Sequence, residues 1–240
     1  MDREPRHGHP LSASSRPQRT AIAEAAGPDG LGVSQSLYLQ AILQGDKRAA
    51  MTVVEEALDS RPVTAVYRGI VEASQVEIGR LWADNEITVA REHMATAVSQ
   101  YVLSALYSRL PIAERSLGRA IVTGVEGEHH QLGANMVADL LEAEGWSVRF
   151  LGTQLPHRDI VAAVEEHGAR VVGISATMHS NLPSVSHLVR SLREVGPEDL
   201  RIIVGGRAFH SASELWREVG ADGIGRNLDE AISVFGSFGE

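Results

Sequence analysis

Two rhythms divide the chain. From Ser34 to about Leu110 apolar residues recur every three or four positions, the spacing of one face of a helix. Breaks at Gly45-Asp46, at Ser60-Arg61-Pro62 and near Asp84-Asn85 cut this stretch into four helical segments with short connections, which predicts a small helical bundle. Pro62 stands where the first residue of a helix favours proline. After it Val63, Tyr67, Ile70, Ser74, Ile78 and Leu81 fall on one face, and in the next segment Met94, Val98, Tyr101, Val102 and Ala105 do the same. Past "PIAERSLG" the period changes, and short β-rich runs alternate with helical ones. Strands are predicted over 119–125, 147–152, 170–176, 201–205 and 221–225, with helices over 132–145, 157–167, 183–195 and from 228. Such alternation means a parallel sheet covered by helices. The expected fold class is therefore α plus α/β: a four-helix bundle over 34–112, then a Rossmann-like, flavodoxin-like domain with five parallel strands over 117–240.

Residues 1–33 have no sustained period and are rich in Pro, Gly, Ser and Arg, so they are expected to form a flexible tail, His7 and His9 included. A net charge of -9 without any cluster of Lys and Arg argues against direct nucleic-acid binding. Cysteine is absent, which excludes disulfides, thiolate metal sites and any group attached through a thioether. No run of 18 apolar residues and no apolar signal core is present, so the expected location is the cytoplasm, with no membrane contact.

Ligands of open parallel sheets bind beyond the carboxyl ends of the strands, near the point where strand order reverses. The loop "EGEHHQLG" (126–133) follows the first strand, "ISAT" ends the third with Ser175 and Thr177, and Gly205-Gly206 ends the fourth. Together they describe a slot lined by small residues with an imidazole at its mouth. Taken singly, each is weak: a lone loop histidine is most often a surface residue, and Gly-Gly after a strand is most often a turn. A zinc site of Glu126, His129 and His130 is a minor alternative, since adjacent loop histidines rarely point the same way, and His129 is expected to face solvent.

As a set, Glu128-x-His130-x-x-Gly133, Ser175-x-Thr177 and Gly205-Gly206 resemble the cobalamin-binding domain family over about residues 117–240. The resemblance implies that His130 is the lower axial ligand of cobalt in place of the cofactor's own base. The freed nucleotide tail would enter a slot lined by Ser175, Thr177, Gly205 and Gly206, passing the bare Gly133. Neutral imidazole suits cobalt, and a carboxylate on its other nitrogen fixes the tautomer. Glu128 is the expected partner, with Ser175 behind it; many methyl-carrying relatives have Asp at that position.

The bundle carries "LWADNEITVAREHMAT", in which Val89, Glu92, His93 and Thr96 share a stripe too polar for routine core. A buried ion pair is the plainer reading of Glu92 and His93. Trp82 followed after nine residues by Glu92-His93, before a cobalamin-binding domain, resembles the light-sensing cobalamin photoreceptors. The likeness implies adenosylcobalamin, with Trp82 over the adenosyl group and Val89, Glu92 and His93 lining its pocket. Two departures stand out. Those regulators carry a DNA-binding domain before the bundle where only a flexible tail is expected here, and Ala83 stands where they have a cobalt-capturing histidine. The layout is similar to photocobilins, which also bind a biliverdin-type bilin, here expected without covalent attachment and with Tyr101 or Tyr107 against it. The main reading is thus a non-enzymatic light-sensing module acting on an unidentified effector protein, with self-association through the bundle. The alternatives are a corrinoid carrier in methyl transfer and the cobalamin domain of a mutase.

Overall fold

A computed structural model describes residues 31–212 and 214–239; the expected tail, with His7 and His9, lies outside them except at its last three residues, which are helical. The bundle consists of α1 (Leu31–Leu43), α2 (Lys47–Leu58), α3 and α4 (Val89–Tyr107). Helix α3 runs through Val63–Val66, a π-helical turn at Tyr67–Glu72, and Ala73–Ala83. Two of the starts are set by side-chain caps. Asp46 accepts from the Ala49 N–H at 2.9 Å, and Thr88 from the Arg91 N–H at 3.3 Å. Pro62 sits one residue earlier than expected, as the cap residue with extended backbone, and Val63 is the first helical residue.

Val63, Tyr67, Ile70, Ser74 and Ile78 are buried, as their spacing requires. On α4 the inward face is shifted: Ala95, Val98, Ser99, Val102, Leu103 and Leu106 are buried, while Met94 and Tyr101 are exposed. The helix is rich in Ala, so an apolar period can be drawn through more than one face. What decides is contact with α1 and α2. Tyr101 instead lies under the Lys47 ammonium, 5.4 Å from its ring centre.

The second half alternates β1 (Arg119–Gly124), α5 (Leu132–Glu144), β2 (Ser147–Gly152), α6 (His157–His167), β3 (Val171–Ser175), α7 (Leu182–Val195), β4 (Arg201–Gly205), α8 (Leu215–Glu218), β5 (Gly223–Gly225) and α9 (Leu228–Gly236). Helices α5 and α6 stop at Gly145 and Gly168, both in the left-handed conformation that a helix C-terminus favours. The short α8 and the 3-10 turns His179–Asn181 and Arg207–Phe209 were not legible in the sequence; each is too short to show a period. The sheet is all parallel in the order β2-β1-β3-β4-β5, so order reverses between β1 and β3. That is where an open sheet of this kind has its crevice.

Register makes the crevice floor. Gly124 pairs with Ser175, Ser175 with Gly205, and Gly205 with Gly225, so the carboxyl edge of four strands is one row of small residues. The two halves share a core: Leu132, Met136 and Leu140 of α5 and Leu228 of α9 belong to the same buried cluster as Tyr38, Val66 and Tyr67 of the bundle. Polar contacts stitch the seam. The Tyr67 hydroxyl donates to Asp139 at 3.0 Å, the Tyr107 hydroxyl to Glu142 at 2.6 Å, and the Leu228 N–H to Glu72 at 2.9 Å.

Candidate corrinoid-binding site

The turn after β1 brings the carboxylate and the imidazole together. The Glu128 N–H donates to the Val125 carbonyl at 3.0 Å, closing a four-residue turn whose third position, Gly127, has φ +88°. That conformation selects glycine. The chain then folds Glu128 back over Gly124, where an added Cβ would lie 3.3 Å from Glu128 Cγ.

Glu128 is fully buried, and both its oxygens are taken. Oε1 accepts from the His130 N–H at 2.8 Å and pairs with His130 Nδ1 at 2.6 Å; Oε2 accepts from the Thr177 N–H at 2.6 Å and from Asn181 Nδ2 at 3.0 Å. Burial alone pushes the carboxyl up, but the bonds from the His130 ring, Thr177, the His130 N–H and Asn181 outweigh it and hold it at about 2. An ionised acceptor on Nδ1 keeps the proton there and leaves Nε2 with a free lone pair. The bond to Glu128 raises the His130 imidazole, burial opposes it, and the charges of Glu128 and Glu92 add to the rise.

Glu128 and His130 are therefore brought together as expected, with one correction. Ser175 is not the residue behind Glu128: among the described residues its hydroxyl makes no hydrogen bond. Glutamate is one methylene longer than aspartate, and its outer oxygen reaches past β3 to the backbone of Thr177 and the side chain of Asn181. Asn181 was missed, because nothing local marks a residue 53 positions away as the partner of a loop carboxylate.

The glycines separate into two kinds. Gly205 and Gly206 are required by the protein itself: an added Cβ would sit 2.8 Å from the Gly225 carbonyl oxygen and 2.3 Å from that of Ala176, and Gly206 has φ +95°. Gly133 is different. It lies in the first turn of α5, exposed, and an added Cβ would meet nothing within 4 Å. Glycine in a helix costs about 1 kcal/mol against alanine, so space rather than packing accounts for it. An imidazole with a free Nε2 beside an uncovered backbone and a small-residue floor fits a cobalt corrinoid as its lower side.

His129 is exposed and bonded to Gln154 at 2.8 Å. Among the described residues no group of three or more His, Asp or Glu could hold a metal ion, so Glu126, His129 and His130 do not assemble a zinc site.

On the bundle side, Trp82 ends α3 half-buried and Val89 begins α4 exposed. Glu92 is mostly covered, with 12% of its side chain exposed, and faces the lower loop closely enough for its charge to raise His130. One oxygen accepts from Thr96 at 2.9 Å and the other pairs with Nδ1 of the exposed His93. Behind Thr96 the bonds continue into the bundle: Thr96 to Gln75 at 3.2 Å, Gln75 to Ser99 at 2.8 Å, and Tyr38 to Ser99 at 3.0 Å. Gln75, Ser99 and Tyr38 were not among the expected site residues, since each reads as one polar position on an otherwise apolar face. Burial lifts the Tyr38 hydroxyl to about 12, its Ser99 bond opposing. Tyr101 and Tyr107 are engaged separately, by Lys47 and by Glu142.

Comparison with known proteins agrees with the fold of the two halves. Residues 118–233 match a model described as a B12 binding domain, and residues 36–107 match a second model of the same description. The chain carries a B12-binding domain pair. Among its relatives, a corrinoid protein of Desulfitobacterium hafniense is 29% identical over 81% of this chain and 92% of its own. Dimethylamine corrinoid protein 3 of Methanosarcina acetivorans is 27% identical over 80% and 91%. In fold the B12-binding pair is similar to the monomethylamine corrinoid protein of Methanosarcina barkeri, with a TM-score of 0.73, 22% identity and coverage of 82% of this chain and 94% of that one. These relatives are corrinoid proteins, and none of their names is that of a photoreceptor. No helix among the described residues is long and apolar enough to cross a membrane.

Proposed function

We propose that this chain is a corrinoid carrier that presents a methyl group on its cofactor to partner enzymes. A corrinoid would be held between the bundle and the carboxyl edge of the sheet, with the His130 imidazole as the residue that would meet its cobalt. The observation that carries this reading is the Glu128–His130 pair, which commits Nδ1 to the carboxylate and frees Nε2 at the crevice where β1 and β3 diverge. The names of the relatives, corrinoid proteins for dimethylamine and monomethylamine, supply the methyl group as cargo. A bound corrinoid supplies a cobalt-carbon bond that can be made and broken. The residues do the rest: Glu128 fixes the tautomer of His130, Gly133 leaves room for the nucleotide tail, and Ser175 and Thr177 offer hydroxyls along the floor. Gly205 and Gly206 keep that floor low. No residue is given a catalytic role, and the partner is a methyltransferase-type enzyme.

A second reading, an adenosylcobalamin light sensor, is favoured by one observation. Glu92 is held toward the lower loop by a bonded chain through Thr96, Gln75 and Ser99. A methyl group offers no atom that such a carboxylate would recognise, whereas a ribose offers hydroxyls. In that reading Trp82, Val89, Glu92 and His93 line the upper pocket.

One preparation separates the two. Purified protein is loaded in the dark with methylcobalamin or adenosylcobalamin, and each form is followed spectroscopically with and without green light, and with a thiol acceptor together with an added corrinoid:thiol methyltransferase. A carrier binds both forms with similar affinity and passes methyl to the acceptor; strong preference for the adenosyl form with a light-driven change of assembly supports the sensor. In either case His130→Ala should lose the spectrum of imidazole-ligated cobalt, and an unchanged spectrum removes His130 from the site.

A further inference from the structure

We infer that Asn181 is the positioning residue of the lower site: it anchors Glu128 so that the carboxylate stays on Nδ1 of His130. The inference rests on the proposal that His130 meets cobalt, and goes beyond it by naming what holds the pair in place.

The four donors on Glu128 fall into two sets. Among the described residues Oε1 is bonded only by residue 130, once through the backbone and once through the ring. Those bonds close a small local loop and do not tie the carboxylate to the sheet. Among the same residues Oε2 is bonded only from across the crevice, by the Thr177 N–H after β3 and by Asn181 Nδ2 at the start of α7. These two contacts join the loop after β1 to the loop after β3. Thr177 contributes backbone, so among the described residues Asn181 is the one side chain that reaches the carboxylate from across the crevice; Ser184 Oγ also crosses, but to the Glu126 carbonyl at 3.2 Å.

Asn181 is built into this position. It is only 8% exposed, at the end of the 3-10 turn, and its Nδ2 also approaches the Gly127 carbonyl at 3.4 Å. An added Cβ at Gly127 would lie 3.3 Å from Asn181 Oδ1, so the bare backbone of the turn is the seat of the amide. An amide suits the role because it gives an ionised carboxylate a donor without adding a charge. Aspartate, with the same shape, would present a second acceptor to Glu128 and lose the bond.

Removing an anchor from a buried carboxylate with three torsions lets it leave the ring, and Nδ1 then competes with Nε2 for the proton. A purely structural residue would lower stability without changing which nitrogen is protonated. The test therefore reads the tautomer. In protein without cofactor, labelled with 15N-histidine and held at alkaline pH, long-range proton–nitrogen correlations report the two forms of His130. The Nδ1–H form should dominate in the parent, and Asn181→Asp and Asn181→Ala should each lower its ratio to the Nε2–H form by about ten- to hundredfold, the size of one lost hydrogen bond to a charged group. An unchanged ratio in the folded Asp variant overturns the inference.

A second readout uses cobinamide, which has no base of its own. In its reduced Co(II) form bound to the parent, nitrogen splitting in the paramagnetic resonance spectrum comes from the protein. Asn181→Asp should lower the split fraction by a similar factor. Splitting that survives His130→Ala would defeat the proposed lower ligand while leaving the tautomer ratio to judge Asn181 independently.

Discussion

A carboxylate answers to its surroundings, and a buried acid and a half-buried one in the α/β half show opposite answers. Four donors hold Glu128 ionised, whereas Asp139, under the Tyr67 hydroxyl, is pushed up to about 6 by burial, with Tyr67 opposing and the Glu142 charge adding. An unfolded aspartate titrates near 3.9. Asp139 thus binds its proton more tightly in the folded protein, and the stability it contributes is full below about pH 4 and lost as pH rises through about 6. Asp139→Asn should remove that dependence: its melting temperature, measured against the parent from pH 4 to pH 7, should gain on the parent as pH rises. Parallel curves would show that Asp139 does not titrate in this window. Tyr67→Phe should cost about 1–2 kcal/mol, read from denaturant midpoints, because it strips a donor from a covered carboxylate. At this scale the sequence is legible where chemistry is local. Glu128 and His130 stand two residues apart and could be paired by eye. Asn181 could not, because parallel strands bring together loops that are far apart along the chain.

Elements carry the next level of information. Helix α5 carries in its first turn a glycine that no neighbour requires, so Gly133→Ala should stabilise the cofactor-free protein by about 0.5–1 kcal/mol and weaken corrinoid binding. Stability measured by thermal melting and affinity by titration with hydroxocobalamin should move in opposite directions; movement in the same direction would remove Gly133 from the cofactor's path. In α3 the π-helical turn at Tyr67–Glu72 places Tyr67 against Asp139 and Glu72 against the Leu228 N–H. One extra residue in a helical turn rotates everything after it by about 100°, given 3.6 residues per turn. Deleting Gly69 should therefore break one of the two contacts and lower the melting temperature by several degrees. Element types were readable because their periods are long and unmixed, and five strands with their helices follow the expected boundaries closely. The face of α4 was not readable. Small residues surround that helix, and only packing against α1 and α2 selects Val98, Val102 and Leu106 over Met94 and Tyr101.

Among the described residues the two halves share one buried cluster, although the sequence reads as two. Two rhythms predict two domains, and the architecture bears out a bundle followed by a five-stranded parallel sheet. Periodicity reports which face of a helix is apolar, not what that face meets. Leu132, Met136, Leu140 and Leu228 complete the bundle's own core from the other half. Thermal unfolding followed by calorimetry should therefore show a single transition, with bundle and sheet lost together. Two separated transitions would mean that the seam contributes little. The light-sensing expectation also belongs to this scale. It rests on a short stretch of the bundle, whereas the relatives matched over four-fifths of the chain are corrinoid proteins for methylamines or without a named substrate.

The common core has a practical corollary for anyone wishing to recombine modules. A foreign bundle grafted onto this sheet would inherit four uncovered side chains on α5 and α9, together with three polar groups whose partners had gone. A working hybrid would have to import the matching surface of Tyr38, Val66, Tyr67, Glu72 and Tyr107, so the crossover point belongs before Leu31 and not in the linker at residues 111–117.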